Sequence, residues 1–129
     1  MIIFDSNVWI AGYNEADSLH QKAQELYFSL EHETITVPEY VWIEVSTVLE
    51  QKSTPHAGKD FLDIIEFGDG VEMLYFSKEE VKQFMQFYRS DTTKGLSFID
   101  STLLFLSKQY KIYTFDKRLQ SAIESFGGK

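Results

Sequence analysis

The sequence predicts a doubly wound α/β fold, a parallel sheet covered by helices on both faces, and three observations predict it. Short apolar runs rich in Ile, Val, Phe and Tyr alternate with longer segments of helical period. The 129 residues, 43% hydrophobic and 16% aromatic, are enough for one core and too few for two. No fixed repeat, low-complexity segment or linker divides the chain, so residues 1–129 are expected to form a single domain.

The elements follow in order. IIF at 2–4 reads as a strand and runs into a helix over 7–13. A second helix is expected over 18–31, then a strand at 34–37 (TITV) and a helix over 39–52. Ser53 to Lys59, with Pro55 and Gly58, reads as a turn leading to a helix over 57–67. VEMLYF at 71–76 is the third strand, and Ser77 with Glu80 three residues later has the spacing of a capping box that opens a helix over 78–90. LSFIDSTLLFLS predicts a helix over 97–109, KIYTF a strand over 111–115, and the last helix falls near 117–126.

Composition removes several function classes. No apolar stretch is long enough to span a bilayer, and MIIFDSN has no basic segment ahead of an apolar one, so no anchor or signal peptide is expected. The absence of cysteine excludes disulfides and thiolate metal sites and fits a cytoplasmic protein. A net charge of -8 argues against a nucleic-acid partner. The distribution softens that objection: residues 1–77 hold 3 basic and 14 acidic side chains, whereas residues 78–129 hold 9 and 6. A phosphate-bearing partner would face the second half.

Four acids break the pattern. At 100° per residue Asp100 shares a face with Leu96, Ile99, Leu103 and Ser107, opposite Phe98, Thr102 and Phe105, so it is expected in a core-facing stripe. Glu44 stands likewise within the stripe of Val41, Val45 and Val48. An unpaired buried carboxylate costs several kcal/mol, so such groups are normally paired, neutralised or metal-bound. IIFDSN and IYTFDKR each end a strand in Phe-Asp, which sets Asp5 and Asp116 at the carboxyl edge of the sheet, where open α/β sheets bind ligands beside the point of strand-order reversal. Singly, Asp5 and Asp116 serve equally well as helix caps, and Glu44 as the partner of a lysine. If all four converge, their repulsion calls for at least one divalent cation, and all-oxygen donors suit Mg²⁺ or Mn²⁺ and not Zn²⁺.

IIFDSNVWI, the helical Glu44, LSFIDSTLL and YTFDKRL, in this order and across nearly the whole chain, resemble the PIN-domain ribonucleases, above all the small VapC-like toxins of toxin–antitoxin pairs. The resemblance implies a three-layer α/β/α fold around a parallel sheet of four or five strands, with the family's common fifth strand expected to be missing or displaced because the chain stops at SFGGK. Residue by residue it implies that Asp5, Glu44, Asp100 and Asp116 are the acidic metal-binding and catalytic positions, oriented by Ser6, Asn7 and Thr114. The implied activity is metal-dependent hydrolysis of RNA phosphodiesters, with Mg²⁺ or Mn²⁺ as cofactor and Arg89, Lys94, Lys117 and Arg118 as candidates for holding the RNA backbone. The implied partners are an RNA substrate, a cognate antitoxin and a second copy of the chain. Free carboxylates would also suit an inhibitory Arg, whose fork matches their geometry.

Rivals are weaker. A receiver domain needs an Asp closing its third strand, and VEMLYFS ends in Phe-Ser; a haloacid-dehalogenase-type phosphatase needs an Asp at position 7, where Asn7 stands. The serious alternative is a non-catalytic PIN-like module that binds RNA or protein. His20, His32 and His56 lack ligand spacing and read as surface residues, and Trp9 and Trp42 as core or interface.

Overall fold

A computed structural model describes residues 1–129. The order of elements is β1 (Ile2–Phe4), α1 (Ser6–Tyr13), α2 (His20–Ser29), β2 (Ile35–Pro38), α3 (Glu39–Lys52), α4 (Ala57–Phe67), β3 (Val71–Leu74), α5 (Lys78–Arg89), α6 (Phe98–Leu106), β4 (Lys111–Tyr113) and α7 (Lys117–Phe126), with a 3₁₀ turn at Asp91–Thr93. The four strands form one parallel sheet in the order β3-β2-β1-β4. Because β1, β2 and β3 step in one direction and β4 returns to the far side of β1, right-handed crossovers place α1 to α4 over one face and α5 and α6 over the other. The reversal between β1 and β4 is the switch point at which such sheets open a crevice.

Local chemistry sets the boundaries. Asp5, Ser77, Ser97 and Asp116 each accept a backbone N–H at the start of a helix, and Ser77 forms the complete capping box with Glu80. At the other end of α7, Gly127 takes φ 76°, a left-handed conformation that costs glycine little. No fifth strand forms: past Gly127 the chain returns to α6, where the Lys129 amide donates to the Ser107 carbonyl at 2.8 Å. No helix is long and apolar enough to cross a membrane.

The core lies between sheet and helices. β1 is buried along its whole length, and Phe4 and Trp9 meet edge to face at 5.3 Å, as do Trp9 and Phe61. Phe61 is fully buried. Along α3 the buried residues are Val41, Val45 and Leu49, one helical face; Val48, expected in that stripe, is only half-buried because it stands at its flank.

Candidate active site

Register brings the first two acids together. β1 and β4 pair Phe4 with Tyr113, so the next residues, Asp5 and Thr114, leave the sheet side by side, and the Asp5 amide donates to the Tyr113 carbonyl at 2.9 Å. Asp5 is 4% exposed. Its Oδ1 accepts from the Ser6 amide at 2.6 Å, and its Oδ2 from the Thr114 hydroxyl at 2.6 Å. The cap and the site are therefore one residue.

Thr114 is the hub of the arrangement. Having donated to Asp5, its hydroxyl accepts from Asn7 Nδ2 at 3.2 Å and from the Asp116 amide at 3.0 Å. The other end of the Asn7 amide, Oδ1, accepts from the Phe115 amide at 3.2 Å, and Asp116 Oδ1 accepts from the Arg118 amide at 2.9 Å. Asn7 and Thr114 thus bind the start of α1 to the end of β4 and hold two acids in register. The Ser6 hydroxyl is buried with no hydrogen-bond partner.

Glu44 and Asp100 arrive from helices that meet the same edge. α3 starts directly after β2, at the carboxyl edge, and places half-buried Glu44 in its second turn. α6 runs back toward the start of β4, so its amino terminus lies at that edge, and Asp100 occupies the first turn, its amide donating to Ser97 Oγ at 3.1 Å. Asp100, like Glu44, is half-buried and not fully buried, which corrects the expectation only in the depth of the carboxylate within its stripe. Periodicity gives the direction of a side chain around a helix and not its depth along the axis. The helix is buried further on, at Ser101, Thr102, Leu103, Leu104 and Leu106, and Thr102 is buried although it was expected on the opposite side, because α6 packs against α3, α5 and α7.

The electrostatics report the convergence. Burial pushes the Asp5 carboxyl up to about 6 against the hydrogen bonds from Thr114 and Ser6, and the charges of Asp100 and Glu44 push it the same way. Asp100 is also raised, by burial first and then by Asp116 and Glu44, against its bonds to Ser97. No cation of the chain relieves this repulsion: the one ion pair is Glu31–His32, and no Lys or Arg lies within bridging distance of the four acids. As the side chains stand, however, no three acids form a group able to hold a metal ion. Oxygen donors, uncompensated charge and an orphaned Ser6 hydroxyl suit a hard divalent cation; the coordination geometry is not preformed.

The chain belongs to the PIN domain family. The family model matches residues 2–124. Among solved structures the fold is similar to that of VapC20 of Mycobacterium tuberculosis, a toxin that cleaves the sarcin–ricin loop, with a TM-score of 0.81 and 21% identity over 95% of each chain. No curated protein matches the sequence.

The basic residues divide. Arg118 donates from Nη1 to the Gly95 carbonyl at 2.9 Å, tying α7 to the loop that carries Lys94 and leads into α6; Lys117 begins α7, one residue after Asp116. Arg89 is not brought to the acids in this way: it shares a depression on the outer side of α5 with Glu79, Lys82 and Gln86. Three residues near the site escaped the sequence reading. Ser97, which caps Asp100, carried a readable signal, Ser three residues ahead of Asp. Gln120, which donates to the Thr114 carbonyl at 2.7 Å, and Lys22, whose Nζ lies 5.3 Å from the Phe115 ring centre, carried none, because their partners come from other elements.

Proposed function

We propose that the chain is a metal-dependent endoribonuclease, the toxin of a VapBC-like type II toxin–antitoxin pair, acting on RNA in the cytoplasm. The observation that carries the reading is the convergence of Asp5, Glu44, Asp100 and Asp116 on the carboxyl edge beside the switch point, with no protein cation among them. Membership of the PIN family and the likeness to a toxin that cleaves the sarcin–ricin loop support it. These four acids would hold Mg²⁺ or Mn²⁺, which when bound supplies Lewis acidity, polarising a phosphodiester oxygen and easing deprotonation of water near neutral pH.

The chain's own residues do the positioning. Thr114 and the Ser6 amide each hold one oxygen of Asp5, which fixes the carboxylate's orientation and leaves each oxygen a lone pair for a metal ion; Asn7 fixes Thr114; and Asp116 is held by its cap to Arg118. Ser6, Asn7 and Thr114 are orienting residues in this scheme. Lys94, Lys117 and Arg118 flank the acids and serve the RNA backbone, Lys22 joins them, and Arg89 contributes at longer range. The antitoxin of the pair would inhibit by setting a basic side chain among the acids in place of the metal.

One observation favours a second reading, a non-catalytic PIN-like module that binds RNA or protein: no three of the acids are drawn into a metal-holding group. Activity separates the two. Purified protein is expected to cut RNA with Mg²⁺ or Mn²⁺ and not with EDTA, and its expression alone to arrest growth, with Asp5→Ala relieving the arrest. Soluble protein that cuts no RNA under either metal and leaves growth unimpaired would establish the binding module instead.

A further inference from the structure

Beside the acids stands an aromatic cluster that the catalytic scheme leaves unused. Phe98 opens α6 two residues before Asp100, and its ring packs edge to face against Tyr40 at 5.2 Å, Phe84 at 4.9 Å and Tyr88 at 5.1 Å. Tyr40 lies on α3 four residues before Glu44, a spacing that sets side chains about 5–6 Å apart on one helical face. Glu44 therefore has the Tyr40 ring one turn away on its own helical face, whereas Phe98 and Asp100 point away from each other and the Phe98 ring reaches the site through Tyr40. Phe84 is buried and anchors the group, whereas Phe98 is 37% exposed and Tyr88 38% exposed. Interplanar angles of 83°, 89° and 70° around Phe98 show rings locked by one another, a rigid surface and not a loose one.

Phe98 thus keeps more than a third of its surface in solvent although three rings hold it in place. Its surroundings favour one occupant. The segment that joins Tyr88 on α5 to Phe98 on α6 carries Lys94 and is tied to Arg118 through the Gly95 carbonyl, so it brings two cations to the aromatic cluster's own loop. Aromatic faces beside cations, next to a site for a phosphodiester, match an unpaired nucleotide: the backbone follows the charge and the base finds a ring.

We propose that Phe98, with Tyr88 and Tyr40 around it, is a stacking site for one unpaired base next to the phosphodiester held at the acids, and that it positions the RNA for cleavage. This rests on the ribonuclease reading and adds to it a contact with one base, made by residues outside the acid cluster. A duplex keeps its bases inside the stack and cannot use the site. Phe98 is a positioning and specificity residue here and takes no part in the chemistry.

The test is a cycle between protein and RNA. The full chain and Phe98→Leu are compared on a short single-stranded RNA with Mn²⁺, and on copies lacking the base at each position around the cut. At one position, loss of the base is expected to lower kcat/KM by about 5- to 150-fold, the range of one base–aromatic stack, and Phe98→Leu to lower it similarly on intact RNA but not further on that abasic copy. Additive losses, or wild-type rates for Phe98→Leu on every RNA, would overturn the proposal. Unchanged melting temperature and near-UV circular dichroism of Phe98→Leu exclude misfolding; if that variant is unfolded, Tyr88→Leu takes its place in the same cycle. A second reading needs no cleavage: 2-aminopurine at the same position should be quenched on binding to the Asp100→Asn chain and not when Phe98→Leu is added. A protein that cuts no RNA yet shows this quenching loses the ribonuclease reading and keeps the stacking site, and one that shows no quenching loses the stacking site. Should Phe98→Leu change the sedimentation of the chain and neither RNA readout, the rings are an interface between copies and the proposal is wrong.

Discussion

Replacing Thr114 by Val removes one hydroxyl from the hub and keeps the side chain's shape. The wild-type hydroxyl donates to the nearly buried Asp5 carboxylate at 2.6 Å and accepts from Asn7 and Asp116. A hydrogen bond to a charged group contributes about 1.5–3 kcal/mol, and the two accepted bonds, at a rim where water can replace them, add about 1 kcal/mol between them. At pH 8 in EDTA the variant should therefore be about 2.5–4 kcal/mol less stable. The sign with pH follows from Asp5, whose carboxyl rises from 3.8 to about 6 on folding. A raised carboxyl binds a proton in the folded state that the unfolded state has released, so stability falls as pH climbs from about 4 through about 6, by about 3 kcal/mol for this shift. The Thr114 bond is what lowers the Asp5 value, so its loss raises it further and prolongs the fall above pH 6. The deficit of Thr114→Val should hence widen from about 1.5–2.5 kcal/mol at pH 5, where only neutral hydrogen bonds are lost, to the full amount at pH 8. Urea unfolding followed by tryptophan fluorescence reads it as a shift of midpoint at constant slope. A deficit equal at both pH values, or below about 0.5 kcal/mol at pH 8, would refute the role given to Thr114.

Asp100→Asn removes a raised carboxylate that faces Asp116 and Glu44, so in EDTA its urea midpoint should equal or exceed the wild type's while RNA cleavage disappears; wild-type cleavage rates would show that Asp100 is not needed. A divalent ion that relieves the same repulsion should raise the melting temperature more at pH 8 than at pH 5, by about 10 °C when it stands at roughly a hundred times its dissociation constant, and an equal rise at both pH values in calorimetry would contradict a carboxylate site. Phe61→Ala should destabilise by about 3–5 kcal/mol in urea, since the ring is fully buried between Trp9 and Tyr13, and a loss under 1 kcal/mol would mean that α4 is not part of the core.

Much of this was legible in the chain because local chemistry and tertiary structure agree. The Phe-Asp strand ends, the Ser77–Glu80 capping box and the apolar periods each named an element within a few residues of its observed bounds. The pairing of β1 with β4, on which the meeting of Asp5 and Asp116 depends, was legible only as a condition, since parallel neighbours are chosen by topology and not by either strand alone. β4 ends at Tyr113 and not at 115 because Thr114 and Phe115 turn their bonds to Asp5, Asn7 and Asp116, a network spanning over a hundred residues of sequence. Glu44 and Asp100 were readable as anomalies within apolar helices, but the incomplete burial of Asp100 was not, because it depends on where α6 begins relative to the rim. The aromatic cluster at Phe98 drew no notice among 11 phenylalanines and 7 tyrosines, whose composition points equally to core.

The central claim is that four acids from four elements form one metal-dependent nuclease site. Its most direct test is parallel measurement of Mn²⁺ binding by calorimetry and RNA cleavage for the wild type and for Asp5→Asn, Glu44→Gln, Asp100→Asn and Asp116→Asn, with circular dichroism to confirm folding. The account predicts that the wild type binds Mn²⁺ and cuts RNA only with it, and that each folded variant loses about 100-fold or more in cleavage while binding the ion more weakly, since removal of a charged ligand is worth several kcal/mol in such a site. Cleavage that persists in EDTA, or folded variants that bind and cut as the wild type does, would contradict it.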